Sequence, residues 1–452
     1  MDATTEKLVD YALSTRYEDL SPEVVGAAKD RILDTLGCVA AAYGHPTSET
    51  VRRFASRYSM DRPATILGSG QSAAPEMAAF ANGVMLRLTD MSDTYRNKAG
   101  GHPSDIMSAA LAAAEIAGAD GKALITAIAT GYEVYCGCCD AIDLNEQGWD
   151  QPVYGVVASA LAAGKLLGLD RAQLGHAVAL ALVPNMAMYQ TRQGELSVWK
   201  GCAGANAARN GLFAALLAEA GITGPDKPVE GKCALWDVVG EFDWGLEPGK
   251  PPYRIAHTNL KSFPVCYHGQ TAVWTALGLR DQVRVEDIET IQVGTYQKAV
   301  DMMANDPTRW APRTHETADH SLPYVIGTAL LEGTVDGRAF HEDALTRPAI
   351  GALMKRISVV ADGDLTALHP GASPCRITVR TTDGRELHNV LRYPKGDDKN
   401  PMTGEEVRRK FKGQFSAYGE AAQADAVIAA VDRLDRAKDV KGLIQAFARS
   451  KA

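Results

Sequence analysis

The chain has 452 residues, of which 46% are hydrophobic and 23% charged, and carries a formal net charge of −8. These proportions are those of a folded globular protein and exclude a disordered or fibrous chain. A length beyond the roughly 250–300 residues that one core can serve calls for two domains. The interspersed acidic charge excludes a nucleic-acid-binding surface, which needs a basic face.

The chain opens on MDATTEKLVD, which is acidic and lacks the apolar stretch of a signal peptide. Apolar residues at three-to-four spacing then predict helices over 21–43, 74–88, 103–118, 122–140, 153–167, 171–183 and 200–221. Pro22 fits a first helical turn, and Gly168 and Gly221 fit helix stops. Alanine-dense runs such as SAALAAAEIAG let helices approach closely, so a compact bundle is expected. The longest apolar run, VYGVVASALAAGKLLGL, is interrupted by Lys165 and is too short to span a bilayer. A cytoplasmic protein with no membrane partner is therefore expected. Eight scattered cysteines do not make a disulfide scaffold.

The pattern changes at EPGKPPYR, a boundary rich in proline and glycine. Beyond it, 288–296 alternates like a strand, 357–362 is short and β-branched, and 374–394 reads as a hairpin turning at Asp383 and Gly384. Helices are expected at 270–280, 317–332 and 340–356. Thr403 and Glu406 then form a capping box, and amphipathic helices run to Phe447. The fold class is thus mainly α. A large all-helical domain (1–262) is followed by an inserted α+β domain (263–397), and a C-terminal segment (398–452) rejoins the helices.

Three motifs are set aside on physical grounds. Gly68-x-Gly70-x-x-Ala73 resembles a dinucleotide fingerprint, but its neighbours read as helix, with no parallel-strand series to build the site. Cys136, Cys138 and Cys139 lie in a helical stretch where three thiolates do not converge, so they read as small buried apolar groups. His45, His176, His315, His341, His369 and His388 show no metal-ligand spacing, and no metal site is expected.

The stretch LTDMSDTYRNKAGGHPSD concentrates polar chemistry. If the preceding helix continues through 83–95, Asp90 and Thr94 share a face. Gly100 and Gly101 permit close backbone approach to a ligand, and Pro103 starts the next helix with His102 at its N-cap. The helix dipole there favours a neutral imidazole, which is competent as a base. The alternative is that Asp90 and His102 merely cap and bracket a turn.

Lys200 and Lys261 lie among small residues where two domains should meet, the usual place for a ligand cleft. Solvated surface lysines are the alternative. Tyr324 offers a hydroxyl to the same cleft, or else is an amphipathic core residue. His257, His268 and His320 form a second tier near these motifs.

The segments DMSDTYRNKAGGHPSD, SVWKGCAGANAARNGLFAALLA, LKSFPVCYHGQTAV, TADHSLPYVIG and NPMTGEEV resemble, in order, the signature regions of the 2-methylcitrate dehydratase (MmgE/PrpD) superfamily. The resemblance implies a helical domain with a smaller α+β lid, a homodimer, and a lyase without metal or organic cofactor. Carried over by position, it points to Asp90, His102, Lys200, Lys261 and Tyr324 as catalytic and Thr94 as substrate-binding. Arg192 and Arg209 are added as bidentate binders of the remote carboxylates of a small polycarboxylate, a structural role for either being the alternative, and His268 as a further substrate-binding residue. Gln151 stands where dehydratases commonly carry a histidine, and Ser92 where relatives often have Asp or Asn.

Dehydration of a 2-methylcitrate- or citrate-type acid is the main expectation. Decarboxylation of a cis-aconitate type, epimerisation of an iminodisuccinate type, and a non-catalytic binding protein on the same fold are the alternatives. The three reactions pass through a carbanion next to a carboxylate, so cations and hydrogen-bond donors must stabilise it.

Overall fold

The structure is a computed structural model that describes residues 1–449. The last residues of the expected C-terminal segment, 450–452, lie outside the described residues. In chain order the elements begin with α1 (Ala3–Ser14), α2 (Pro22–Ala42) and α3 (Pro46–Ala55). A hairpin follows, β1 (Ala64–Ile66) and β2 (Gln71–Ala73), then α4 (Pro75–Arg87). A second hairpin, β3 (Tyr95–Arg96) and β4 (Gly100–Gly101), precedes α5 (Met107–Ala117), α6 (Gly121–Ala141), α7 (Pro152–Leu166), α8 (Arg171–Leu182) and α9 (Trp199–Glu219). After α10 (Leu235–Val239) come α11 (Tyr267–Arg280), β5 (Ile288–Thr295), α12 (Gln297–Met303), α13 (His315–Ala318) and α14 (Leu322–Glu332). The chain continues through α15 (Glu342–Leu345), α16 (Pro348–Met354), β6 (Ile357–Ala361), α17 (Gly363–Thr366), β7 (Cys375–Thr381) and β8 (Glu386–Leu391). It closes with α18 (Gly404–Phe415), α19 (Ala421–Asp432) and α20 (Lys441–Phe447).

Two compact units divide these elements. The first gathers Met1–Thr191, Gly201–Thr258 and the described residues from Thr403 onward; the second gathers Arg192–Lys200 and Asn259–Met402. The sequence reading assigns Arg192–Lys200 to the helices, whereas this stretch groups with the second unit.

The first unit is helical but not all-helical, because the hairpins β1–β2 and β3–β4 interrupt it. The glycine-rich ILGSGQSAA segment, whose neighbours read as helix, is the first of these, turned by Gly68 and Gly70 at positive φ. Local signals set the helix ends. Ser21 accepts from the Val24 N–H to start α2, Asp120 accepts from Ala123 to start α6, and Thr403 and Glu406 cap α18 reciprocally. Small residues set the packing: a side chain at Gly211 would drive into Ser159 and the Val156 carbonyl of α7. Fully buried Val156, Leu161, Leu174 and Leu212 build the core, each side chain contributing about 1.5–3 kcal/mol.

The second unit is built on a four-stranded sheet of order β6–β5–β7–β8, parallel only between β5 and β6. Alternation in β7 buries Cys375, Ile377, Val379 and Thr381, and Ile291 and Val293 of β5 face Val379 and Ile377 across the ladder. Val273 and Leu279 of α11 and Val325 and Ile326 of α14 join these residues in one core. The helices expected at 317–332 and 340–356 are each broken in two. Ser321 accepts from the Tyr324 N–H and Pro323 takes the first turn of α14, so the helix must restart there. The break leaves Asp319 and His320 on a turn between helices.

Candidate active site

In the first unit, α4 ends at Arg87 and the chain does not continue as helix to residue 95, so Asp90 and Thr94 do not share a helical face. Asp90 takes a left-handed conformation with φ 49°, which few non-glycine residues adopt and which turns the chain sharply toward β3. Arg87, only 2% exposed, gathers the segment. Its guanidinium meets Asp90 at 3.4 Å and Asp105 at 3.1 Å and donates to the Ser92 hydroxyl at 2.6 Å. Thr94 Oγ1 donates to the Gly101 carbonyl at 2.9 Å and so closes the hairpin.

His102 is partly buried and held at two points. Its Nδ1 lies 2.7 Å from the Asp93 carbonyl oxygen, and its main-chain N–H donates to the Tyr135 hydroxyl at 2.9 Å. A carbonyl only accepts, so Nδ1 carries the proton and Nε2 is the basic nitrogen. His102 stands at the N-cap of the turn that begins at Pro103, as expected, but without a side-chain capping bond. Asp93 Oδ1 instead accepts from the Ser104 N–H at 3.1 Å. A 3₁₀ turn, Pro103–Ile106, also stands between His102 and α5. A side chain at Gly101 would overlap the Tyr135 hydroxyl, so glycine is needed there for that ring to pack against the hairpin.

In the second unit, Lys200 is 5% exposed, and its Nζ lies 3.0 Å from Asp319 Oδ2 and 3.4 Å from His320 Nδ1. Asp319 Oδ1 lies 2.5 Å from His320 Nδ1, so one carboxylate orients both side chains. Burial works against the His320 imidazolium, and so does the Lys200 ammonium. Cys266 and the Asp319 carboxylate outweigh both and hold the pKa above the ordinary 6.5. Lys261 is 1% exposed, on a loop whose Ser262 and Phe263 amides donate to Gln270 Oε1 at 3.0 and 3.2 Å. His268 Nδ1 lies 2.6 Å from the Tyr296 hydroxyl.

The remaining candidates are placed differently. Tyr324 lies in the apolar core of the second unit, and its hydroxyl donates to the Ala339 carbonyl at 2.5 Å. Burial pushes that phenol up to about 12. Arg209, in the first unit, spends Nε and Nη2 on Asn210 Oδ1 at 3.0 and 2.8 Å. Arg192 ends a 3₁₀ turn, Tyr189–Arg192. Cys136, Cys138 and Cys139 are all buried in α6, where burial raises each thiol well above its usual range. Sequence reasoning passed over Arg87, Asp93, Asp105 and Tyr135, as well as Asp319. The only signal for Asp319 was its adjacency to His320 just ahead of a proline-started helix.

Residues 6–245 match the MmgE/PrpD N-terminal domain and residues 263–436 the MmgE/PrpD C-terminal domain. The chain is 28% identical to a 2-methylcitrate dehydratase of Cupriavidus necator, over 97% of this chain and 94% of that protein. It is 26% identical to a cis-aconitate decarboxylase-like protein of Aspergillus oryzae, over 97% and 96%. It is 24% identical to a cis-aconitate decarboxylase of Mus musculus, over 97% and 92%. Among the described residues no helix is long and apolar enough to cross a membrane.

Proposed function

Because the chain belongs to the MmgE/PrpD family, we propose that it is a lyase for a small di- or tricarboxylic acid, dehydrating a 2-methylcitrate- or citrate-type substrate. The observation that carries this reading is the buried Lys200–Asp319–His320 arrangement, an amino group and an imidazole locked on one carboxylate. An elimination next to a carboxylate builds negative charge on the carbon that loses its proton. Preorganised cations in a water-poor setting are what lower that barrier.

The roles follow from the bonding. His102 Nε2 removes the α-proton, its ring held by the Asp93 carbonyl and its backbone by Tyr135. Asp90 is the alternative base. The His320 imidazolium gives its proton to the departing hydroxyl, which leaves as water while the electron pair of the broken C–H bond forms the alkene. Lys200 and Lys261 balance the carboxylate charge. Tyr324, whose hydroxyl is bonded within the core, is given no proton-transfer role. Side chains carry every step, so exhaustive chelation should leave turnover unchanged. A second unit acting as a lid, a homodimer and a cytoplasmic location complete the proposal.

The test is to incubate the purified protein with 2-methylcitrate, citrate and cis-aconitate, following alkene absorbance and product mass. Loss of water supports dehydration. Loss of CO₂ would move the reading to decarboxylation, which the similarity to the two decarboxylase-type relatives also favours. An unchanged mass with altered configuration would indicate an epimerase. No conversion of any of the three would count against the lyase reading.

A further inference from the structure

Arg309 lies in the 3₁₀ turn Pro307–Trp310 of the second unit and is 4% exposed. Two of its guanidinium nitrogens, Nε and Nη1, are buried and make no hydrogen bond to any described residue. Other buried arginines of this chain are satisfied. Arg87 meets two carboxylates, Arg31 donates to the Thr258 hydroxyl and carbonyl, and Arg254 holds Glu133 and Asp140. A buried guanidinium without an acceptor is destabilising, and native structures keep few such groups except where a ligand or function uses them. The nearby Asp306 feels the Arg309 charge but makes no hydrogen bond to Nε or Nη1, and its Oδ1 accepts from the Thr308 amide and hydroxyl at 2.8 and 2.7 Å.

The backbone ties Arg309 to the chemistry. The Ser321 hydroxyl donates to the Arg309 carbonyl, and Ser321 directly follows His320. Trp310, Ala311, Pro312 and Arg313, together with Tyr324, line a cavity of about 710 Å³, and Arg309 is not part of its lining. We propose that Arg309 is a substrate-binding residue whose guanidinium receives a carboxylate of the polycarboxylate. That is the task the sequence assigned to Arg192 and Arg209, and Arg209 is engaged with Asn210. The inference rests on the polycarboxylate reading above.

The experiment compares wild type with Arg309→Gln and Arg309→Lys in the full chain, reading the Tm shift produced by citrate and the steady-state constants. A charge-assisted contact of this kind is worth roughly ten- to a hundredfold in affinity. Arg309→Gln is therefore expected to lose the citrate shift and raise KM at least about tenfold with a smaller change in kcat. Arg309→Lys, which keeps the charge without the planar fork, should recover part of both.

An unchanged citrate shift in folded Arg309→Gln would overturn the assignment, as would a wild type that citrate does not stabilise. If Arg309→Gln does not fold, Arg309→Lys decides on the same readouts. Failure of both to fold would give Arg309 to the scaffold and also overturn the proposal. A citrate shift that Arg309→Gln abolishes in a protein without turnover would support the anion site while refuting the lyase.

Discussion

Lys410 Nζ donates to the Met91 carbonyl oxygen at 2.9 Å, although 319 positions separate the two residues in the chain. The same ammonium pairs with Asp34 at 2.5 Å, both side chains being less than a tenth exposed. One turn further along α18, Gln414 Nε2 reaches Met91 Sδ at 3.5 Å and Cys38 Sγ at 3.6 Å. A C-terminal helix thus pins the residue after Asp90, in the turn where Asp90 holds its left-handed backbone.

Lys410→Met should therefore cost both stability and activity. Burial raises the Asp34 carboxyl and the Lys410 ammonium offsets part of that rise, so removing the lysine strands a buried acid. Breaking such a pair typically costs about 3–5 kcal/mol. Replacing both members with apolar residues, as in Asp34→Leu with Lys410→Met, should be milder than the lysine change alone. Urea unfolding of the two single variants and the double variant reads the coupling directly. Equal or worse stability in the double variant would contradict this account.

His102→Ala should lower kcat by about 10²–10⁴ while leaving the unfolding midpoint near wild type, because the base is lost and no core volume changes. His102→Gln is a stricter control. Its amide can still donate to the Asp93 carbonyl but cannot take up a proton at neutral pH. Turnover near wild type in either variant would pass the role of base to Asp90.

The frame was legible wherever one local rule decided the structure. The hairpin at Asp383 and Gly384 followed from alternation and a turn dipeptide, and Gly384 takes the positive φ that such a turn requires. The α18 start followed from Thr403 and Glu406. The site was legible as a set of residue types but not as geometry. Asp90 holds its left-handed turn beside Arg87, which pairs with it through space and is itself fixed by Ser92 and Asp105, and a helical repeat gives no warning of that. Tyr324 illustrates the opposite difficulty. A tyrosine that packs its ring and bonds its hydroxyl to a backbone carbonyl has the same one-dimensional pattern as one aimed at a ligand.

Tyr324→Phe separates those two possibilities. With its hydroxyl spent on the Ala339 carbonyl, the loss should be about 0.5–1.5 kcal/mol of stability, with kcat within a fewfold of wild type. Thermal unfolding and steady-state kinetics on one preparation suffice. A hundredfold drop in kcat at unchanged stability would return Tyr324 to the catalytic set.

Gly204→Ala tests how far α9 controls the Arg87 network. A methyl there would overlap the Asp105 carboxylate, which pairs with Arg87 Nε at 3.1 Å. Backbone on one side and a buried ion pair on the other leave little room to relax, so a loss of about 1–3 kcal/mol is expected. Activity should fall further than the folded fraction, since Arg87 also holds Asp90. A crystal structure of the variant with Asp105 undisplaced would refute the account.

The final prediction concerns pH and follows from the sign of the His320 shift. Its folded pKa lies above 6.5, burial and Lys200 being outweighed by Cys266 and Asp319, so protonation favours the folded state. The resulting stabilisation is complete below 6.5, where His320 is charged both folded and unfolded, and is lost as the pH rises through the folded value. If the imidazolium is also the acid that protonates the leaving hydroxyl, kcat should fall over the same rise. In His320→Gln both dependences should flatten, and kcat should drop by about 10²–10⁴ at every pH. Tm and kcat measured for both proteins from about pH 5 to about pH 9 would show this as two wild-type curves bending together. A wild-type Tm that falls while kcat stays level would keep His320 as a structural cation and remove it as the acid.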